Sequence, residues 1–187
     1  MPLILFNKPF QVLCQFSSQD QRATLADYLS MPQIYPAGRL DFDSEGLMLL
    51  TSDGKLQHDI AHPEHKQAKT YLAQVDGRID ASALQKLAAP LDLGDFTTLP
   101  CQAIHIAEPT WLWPRNPPIR ERRDQPTDWL ALTLREGKNR QVRRMTAACG
   151  LPTLRLVRSS IGPFSLATHP LMPGEWMEVS PAELAKH

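Results

Sequence analysis

Between two glycines the chain sets Arg39, Asp41, Asp43 and Ser44, in the run Gly38-Arg39-Leu40-Asp41-Phe42-Asp43-Ser44-Glu45-Gly46. The apolar run Leu47-Met48-Leu49-Leu50-Thr51 follows at once. Glycine permits tight turns and close backbone approach. A strand anchored in the core holds still whatever precedes it, which suits a carboxylate acting as base or nucleophile. The plain alternative is a polar loop in front of a core strand, and the pattern by itself favours that alternative. Asp41 and Asp43 are both candidates on residue type. Arg39 lies two positions before Asp41, so in an extended segment the two side chains share a face.

Three further segments carry chemistry-bearing side chains. Asn7-Lys8-Pro9 stands near the start, and Lys69-Thr70-Tyr71 opens the strand-like run Tyr71–Val75. Leu134-Arg135-Glu136-Gly137-Lys138-Asn139-Arg140-Gln141-Val142-Arg143-Arg144-Met145 is strongly basic. From Asn139 to Cys149 the spacing predicts a helix. Arg140, Arg143, Arg144 and Ala147 share one face, Val142, Met145 and Cys149 the buried one, and Gly150 is placed to cap the end. His58, His62 and His65 have a spacing open to metal. Pro63 interrupts any helix there and no Cys cluster accompanies them, so solvated histidines are the better reading.

The elements that must position these groups follow from the apolar patterning. Strands are expected at Leu3–Phe6, Gly46–Thr51, Thr70–Val75, Ala103–Ala107, Leu130–Leu134, Leu154–Arg158 and Glu175–Val179. Helices are expected at Gln21–Leu29, Lys55–Ala61 and Ala81–Leu87, the last with Asp80 as N-cap. Many strands with few helices between them give an α+β fold with a mixed, mostly antiparallel sheet. Pro114–Pro126 has four prolines, four arginines and Ile119 as its single aliphatic residue. It reads as an exposed loop, either RNA-binding or an insertion flanked by core tryptophans at Trp111, Trp113 and Trp129.

The chain's 187 residues are 42% hydrophobic, enough for a substantial core. The expected organisation is one catalytic domain over 1–187, with the 114–126 loop exposed. The N-terminus is too short in apolar residues for a signal core, and no stretch suits a bilayer span. Cys14, Cys101 and Cys149 are odd in number and widely spaced, which suits a reducing cytoplasm. The formal net charge is zero, yet residues 115–158 carry eleven Lys/Arg against four acids, a local balance of plus seven. That asymmetry suits a polyanion partner.

The four segments, in this order, resemble the pseudouridine synthases, in the branch named for ribosomal small-subunit pseudouridine synthase A. The resemblance covers nearly the whole chain. It implies a fold of two lobes around a central basic catalytic cleft, and isomerisation of a uridine in large-subunit ribosomal RNA after the base is flipped out. It further implies that no cofactor or metal is needed; the oligomeric state stays open, with a monomer in the cytoplasm as the default expectation. On the resemblance, Asp41 is the essential carboxylate, Tyr71 stacks on the target uracil, and Arg143 forms an ion pair with the catalytic aspartate. Arg39, Lys8, Lys69, Arg140 and Arg144 fall on the RNA-binding side. Leu134 and Ile161 would be apolar walls. Most relatives begin with a small RNA-binding domain of the S4 type, for which the residues before Asn7 leave no room. A glycosylase that releases the base, and a ribosome-assembly factor that binds RNA without catalysis, are the competing readings.

Overall fold

A computed structural model of the protein describes residues 1–61, 67–120 and 124–186, and its strands follow the apolar runs. In chain order the elements are β1 (Leu3–Lys8), β2 (Tyr35–Pro36), β3 (Glu45–Thr51), α1 (Gly54–Ala61), β4 (Lys69–Asp76), α2 (Ala81–Ala88), β5 (Gln102–Ile106), β6 (Thr127–Leu134), α3 (Gln141–Ala148), β7 (Thr153–Ile161), β8 (Phe164–Ser165) and β9 (Trp176–Val179). The chain divides into two compact units, one of Met1–Gln67 with Arg158–His187, the other of Ala68–Val157. The described residues contain no helix long and apolar enough to cross a membrane.

In the first unit the strand order is β7-β3-β1-β9, with β2 on β3 and β8 on β7. Every residue of β1 and of β3 is buried. A strand buried on both faces needs a continuous apolar run rather than alternation, which is why Leu47-Met48-Leu49-Leu50 outweighs its weak intrinsic preference for strand. β1 runs antiparallel to β3, with Leu3 opposite Thr51 and Lys8 opposite Gly46. β1 also pairs antiparallel with β9, Phe6 opposite Trp176.

In the second unit the order is β5-β6-β4-β7. β6 pairs antiparallel with β4 over its whole length and with β5 on its other edge. Ala73, Val75, Leu130 and Leu132 from the strands, with Leu87 of α2 and Val142 and Met145 of α3, form the core. Asp80 caps α2 as expected, its side chain accepting from the Ala83 N–H at 2.7 Å. Asp128 at the start of β6 is buried. It accepts from the Ile79 N–H at 2.8 Å and from Arg78 at 2.7 Å. Burial works to raise its pKa, but these partners and His105 outweigh it and hold the carboxyl below its ordinary range.

The helix expected at Gln21–Leu29 is absent; only a single tight turn, Leu25–Asp27, forms there. The Leu13 N–H donates to the Ala23 carbonyl at 2.8 Å and the Leu25 N–H to the Gln15 carbonyl at 2.9 Å. Gln21 takes a left-handed φ of 58–59° in common with Gln11, the two bends that bring these segments alongside. Pairing to a distant segment has removed the backbone groups a helix would use. Thr24 and Asp27 then cap the surviving turn reciprocally.

Candidate active site

The Gly38–Gly46 segment is a loop whose geometry is set at both ends by backbone contacts. Gly38 has φ +94°, and the next residues carry the chain out to a turn in which the Ser44 N–H donates to the Asp41 carbonyl at 3.1 Å. The Gln11 N–H donates to the Phe42 carbonyl at 2.9 Å, tying the turn to the segment after β1. Asp41 and Asp43 are half-buried, Arg39 is exposed, and Ser44 and Glu45 are buried at the start of β3.

Gly46 is the hinge of this arrangement. Its φ is +111°, and a Cβ placed on it would lie 2.3 Å from the Arg158 carbonyl oxygen. Only glycine lets β3 and β7 approach so closely at this point. Lys8 is opposite Gly46 in register. The row across the first unit therefore reads Lys8, Gly46, Arg158, with two buried cations flanking the end of the acidic loop.

Lys8 is fully buried, and its ammonium donates to the carbonyls of Pro9 and Val12, both at 2.8 Å. Burial pushes its pKa from 10.5 down to about 8, against opposing pulls from Cys14, Glu45, Asp43 and Asp41. The RNA contact expected of Lys8 does not fit this placement, because the side chain has no surface to offer a phosphate. An isolated Asn-Lys-Pro gives no sign of that; the signal was its place at the end of an apolar strand.

Arg158 is the buried residue beside the acidic loop that sequence reasoning did not single out. It entered only as one of eleven basic residues. Its Nε donates to the Leu47 carbonyl at 2.8 Å and its Nη1 to the Arg39 carbonyl at 3.3 Å. The signal available was its position among apolar residues in Leu154–Ile161, where an arginine is costly unless it is hydrogen-bonded.

In the second unit, Lys69 and Tyr71 lie on β4 opposite Leu134 and Leu132, and Tyr71 packs against the core. Thr70 and Thr133 share a hydroxyl contact of 2.9 Å across the same pair of strands. α3 begins at Gln141, with Arg140 as its N-cap in a left-handed conformation, φ 50°. Buried Gln141 pins this entry: it donates to Glu136 at 2.6 Å and accepts from the Lys138 N–H at 3.0 Å. Glu136 in turn accepts from the Leu99 N–H at 2.8 Å. Val142 and Met145 are buried as expected, but Cys149 only half so, and Gln141 and Thr146 join the buried face.

Arg143 is half-buried, with Nη1 at 3.4 Å from the Thr153 carbonyl. Arg140 is exposed. Arg144 forms an ion pair with Asp95, donates to the Leu93 carbonyl at 2.9 Å and lies over the Phe96 ring. Its charge is neutralised locally, which weakens the expectation of an RNA contact. Trp113 and Trp129 are core residues, whereas Trp111 stays 37% exposed. Glu121, Arg122 and Arg123 of the basic loop lie outside the described residues, as do His62, Pro63 and His65. Among the described residues no three His, Cys, Asp or Glu side chains are grouped to hold a metal.

Comparison with known proteins agrees with the motif order. Residues 2–148 match the family model described as RNA pseudouridylate synthase. A protein of Xanthomonas campestris pv. campestris named ribosomal large subunit pseudouridine synthase E is 53% identical over 176 residues, covering 93% of each chain. One of the same name from Vibrio parahaemolyticus is 52% identical over 177 residues, covering 95% of this chain and 73% of that one. A crystal structure of a pseudouridylate synthase superposes with a TM-score of 0.78 at 29% identity, over 99% of this chain and 73% of the other.

Proposed function

The chain belongs to the RNA pseudouridylate synthase family, and from that premise we propose that it isomerises one uridine of large-subunit ribosomal RNA to pseudouridine. The observation that carries this reading is Asp41 on a turn fixed to the foot of a fully buried strand. Two relatives at 52% and 53% identity that are named for the large subunit support the substrate.

The reaction is an isomerisation without net redox change. The C1′–N1 bond breaks, the uracil turns while still held, C1′ bonds to C5, the C5 proton leaves and N1 regains one. No external group is consumed. The base must first leave its stack, and the site must grip it while it is bonded to nothing. Asp41 is assigned the carboxylate beside the ribose. As nucleophile it would bond to C1′ while uracil departs; as base it would take a sugar proton. Tyr71 is assigned the ring that holds the detached uracil by stacking. Arg143 is assigned the guanidinium that steadies the catalytic carboxylate, a two-point contact that lysine cannot copy. Arg39, Lys69 and Arg140 are assigned to binding the RNA around the target uridine. The protein would act as a monomer in the cytoplasm, where ribosomal RNA is made and modified.

The test is carbodiimide primer-extension mapping of pseudouridine in rRNA from cells lacking the gene, then complemented with wild type or Asp41→Ala. One large-subunit site should vanish, return with wild type and stay absent with the variant. No lost rRNA site, or free uracil in the product, would overturn the reading.

A further inference from the structure

Arg158 combines three properties that a merely structural arginine does not need together. It is 3% exposed, it reaches from β7 to carbonyls on both sides of the Asp41 loop, and its Nη2 is buried with no hydrogen-bond partner among the described residues. Burying a guanidinium is costly, and an apolar residue of similar volume would often serve the fold as well or better. A buried donor left unmatched adds to that cost. What the arginine supplies is geometry. Its planar fork presents donors at fixed angles. One reaches Leu47, just inside β3, and another reaches Arg39, two residues before Asp41. The two ends of the loop are thereby referred to one rigid group. The Arg158 backbone itself sits against Gly46, so the same residue fixes the loop's exit from both its main chain and its side chain.

We propose that Arg158 is a positioning residue for the isomerisation, holding the backbone on both sides of Asp41 so that its carboxylate meets the ribose at one fixed geometry. The proposal rests on the uridine isomerase reading. Lysine at this position could reach one carbonyl but not both in the same plane. The consequence is a defect in the chemical step rather than in RNA binding, since Arg158 has almost no surface to offer a polyanion.

The experiment uses the full chain and a large-subunit rRNA transcript carrying C5-tritiated uridine, which releases tritium when C5 bonds to C1′. Single-turnover rate and RNA dissociation constant are measured for wild type, Arg158→Lys, and Arg158→Ala with and without millimolar guanidinium, with circular dichroism to confirm folding. Arg158→Lys should slow tritium release by about 100-fold, the scale of a 1 Å misplacement, with RNA affinity within twofold of wild type. Guanidinium should restore a measurable part of the Arg158→Ala rate. A rate within twofold of wild type, or a loss of affinity that accounts for the loss of turnover, overturns the proposal. So does a finding that neither variant folds, because Arg158 would then hold the fold as a whole. Wild type that releases no tritium from any large-subunit transcript overturns the function itself, and the inference with it.

Discussion

Asp41 and Asp43 stand two residues apart on one turn, both half-buried, and residue type alone does not separate them. Motif register is what favours Asp41; the Ser44 N–H to Asp41 carbonyl bond closes a turn that holds both residues. Asp41→Asn should lower the single-turnover rate by about 10³-fold, while Asp43→Asn keeps most of it; the reverse ranking in the tritium assay would move the assignment. Lys8 offers a second test. Its folded pKa is near 8 against 10.5 for an ordinary lysine, with burial the main cause. Between those values the unfolded chain binds more protons than the folded one, so this group's contribution to stability rises with pH from about 8 to 10.5. Below pH 8 the cost of the buried ammonium is borne in full. The thermal stability of wild type should therefore gain on that of Lys8→Met as pH is raised from 8 to 10, whereas RNA affinity at pH 7 should differ less than twofold. Parallel melting curves across that range would refute the stability argument. A large loss of affinity would return Lys8 to the RNA-binding set.

At the scale of elements, the strands were readable because burial on one or both faces leaves a mark in the residue pattern, and every strand expected from apolar runs is present with its ends moved by a few residues. The two-residue strands β2 and β8 left no such mark; they exist only as partners of longer neighbours. The missing helix at Gln21–Leu29 fails for a related reason. Local spacing permits it, but the backbone of Ala23 and of Leu25 is engaged by residues near Leu13. Gly46 shows the same limit at the site: its glycine looked like a turn residue, and its real constraint is the β7 backbone more than a hundred positions later. Gly46→Ala adds left-handed strain of about 1–3 kcal/mol to a contact with main chain that cannot swing aside. The total loss in denaturant unfolding should exceed about 3 kcal/mol, and turnover should fall with it. Gly54→Ala is the control, at the start of α1 with open space around the new Cβ. It should be neutral or stabilise by about 0.5 kcal/mol. Equal effects of the two substitutions would mean that the approach of β7 to Gly46 does not constrain the loop.

Over the whole molecule, the basic excess at residues 115–158 was legible as charge but not as surface. Arg155 is buried, donating to the Trp113 carbonyl at 2.8 Å, and Arg158 is buried beneath the Asp41 loop. Arg115 reaches the carbonyls of Pro117, Pro118 and Leu154, and Arg144 is paired with Asp95. The exposed basic residues among the described part of that span are Arg120, Arg135, Lys138 and Arg140. A count of arginines therefore overstates the field that RNA meets, since a guanidinium tied to carbonyls or to a carboxylate releases few counterions when a phosphate arrives. The distinction is measurable through salt. Each phosphate neutralised by a protein cation steepens the fall of log affinity with log salt by about 0.7–0.9. Arg140→Ala should flatten that slope by nearly this amount for a large-subunit rRNA transcript, with little change in melting temperature. Arg144→Ala should leave the slope unchanged and lower the melting temperature, because it removes the link from α3 to Leu93 and Asp95 rather than a contact to RNA. If instead Arg144→Ala flattens the slope as much as Arg140→Ala does, the Asp95 pair opens on binding, and the whole basic face of α3 lies on the RNA.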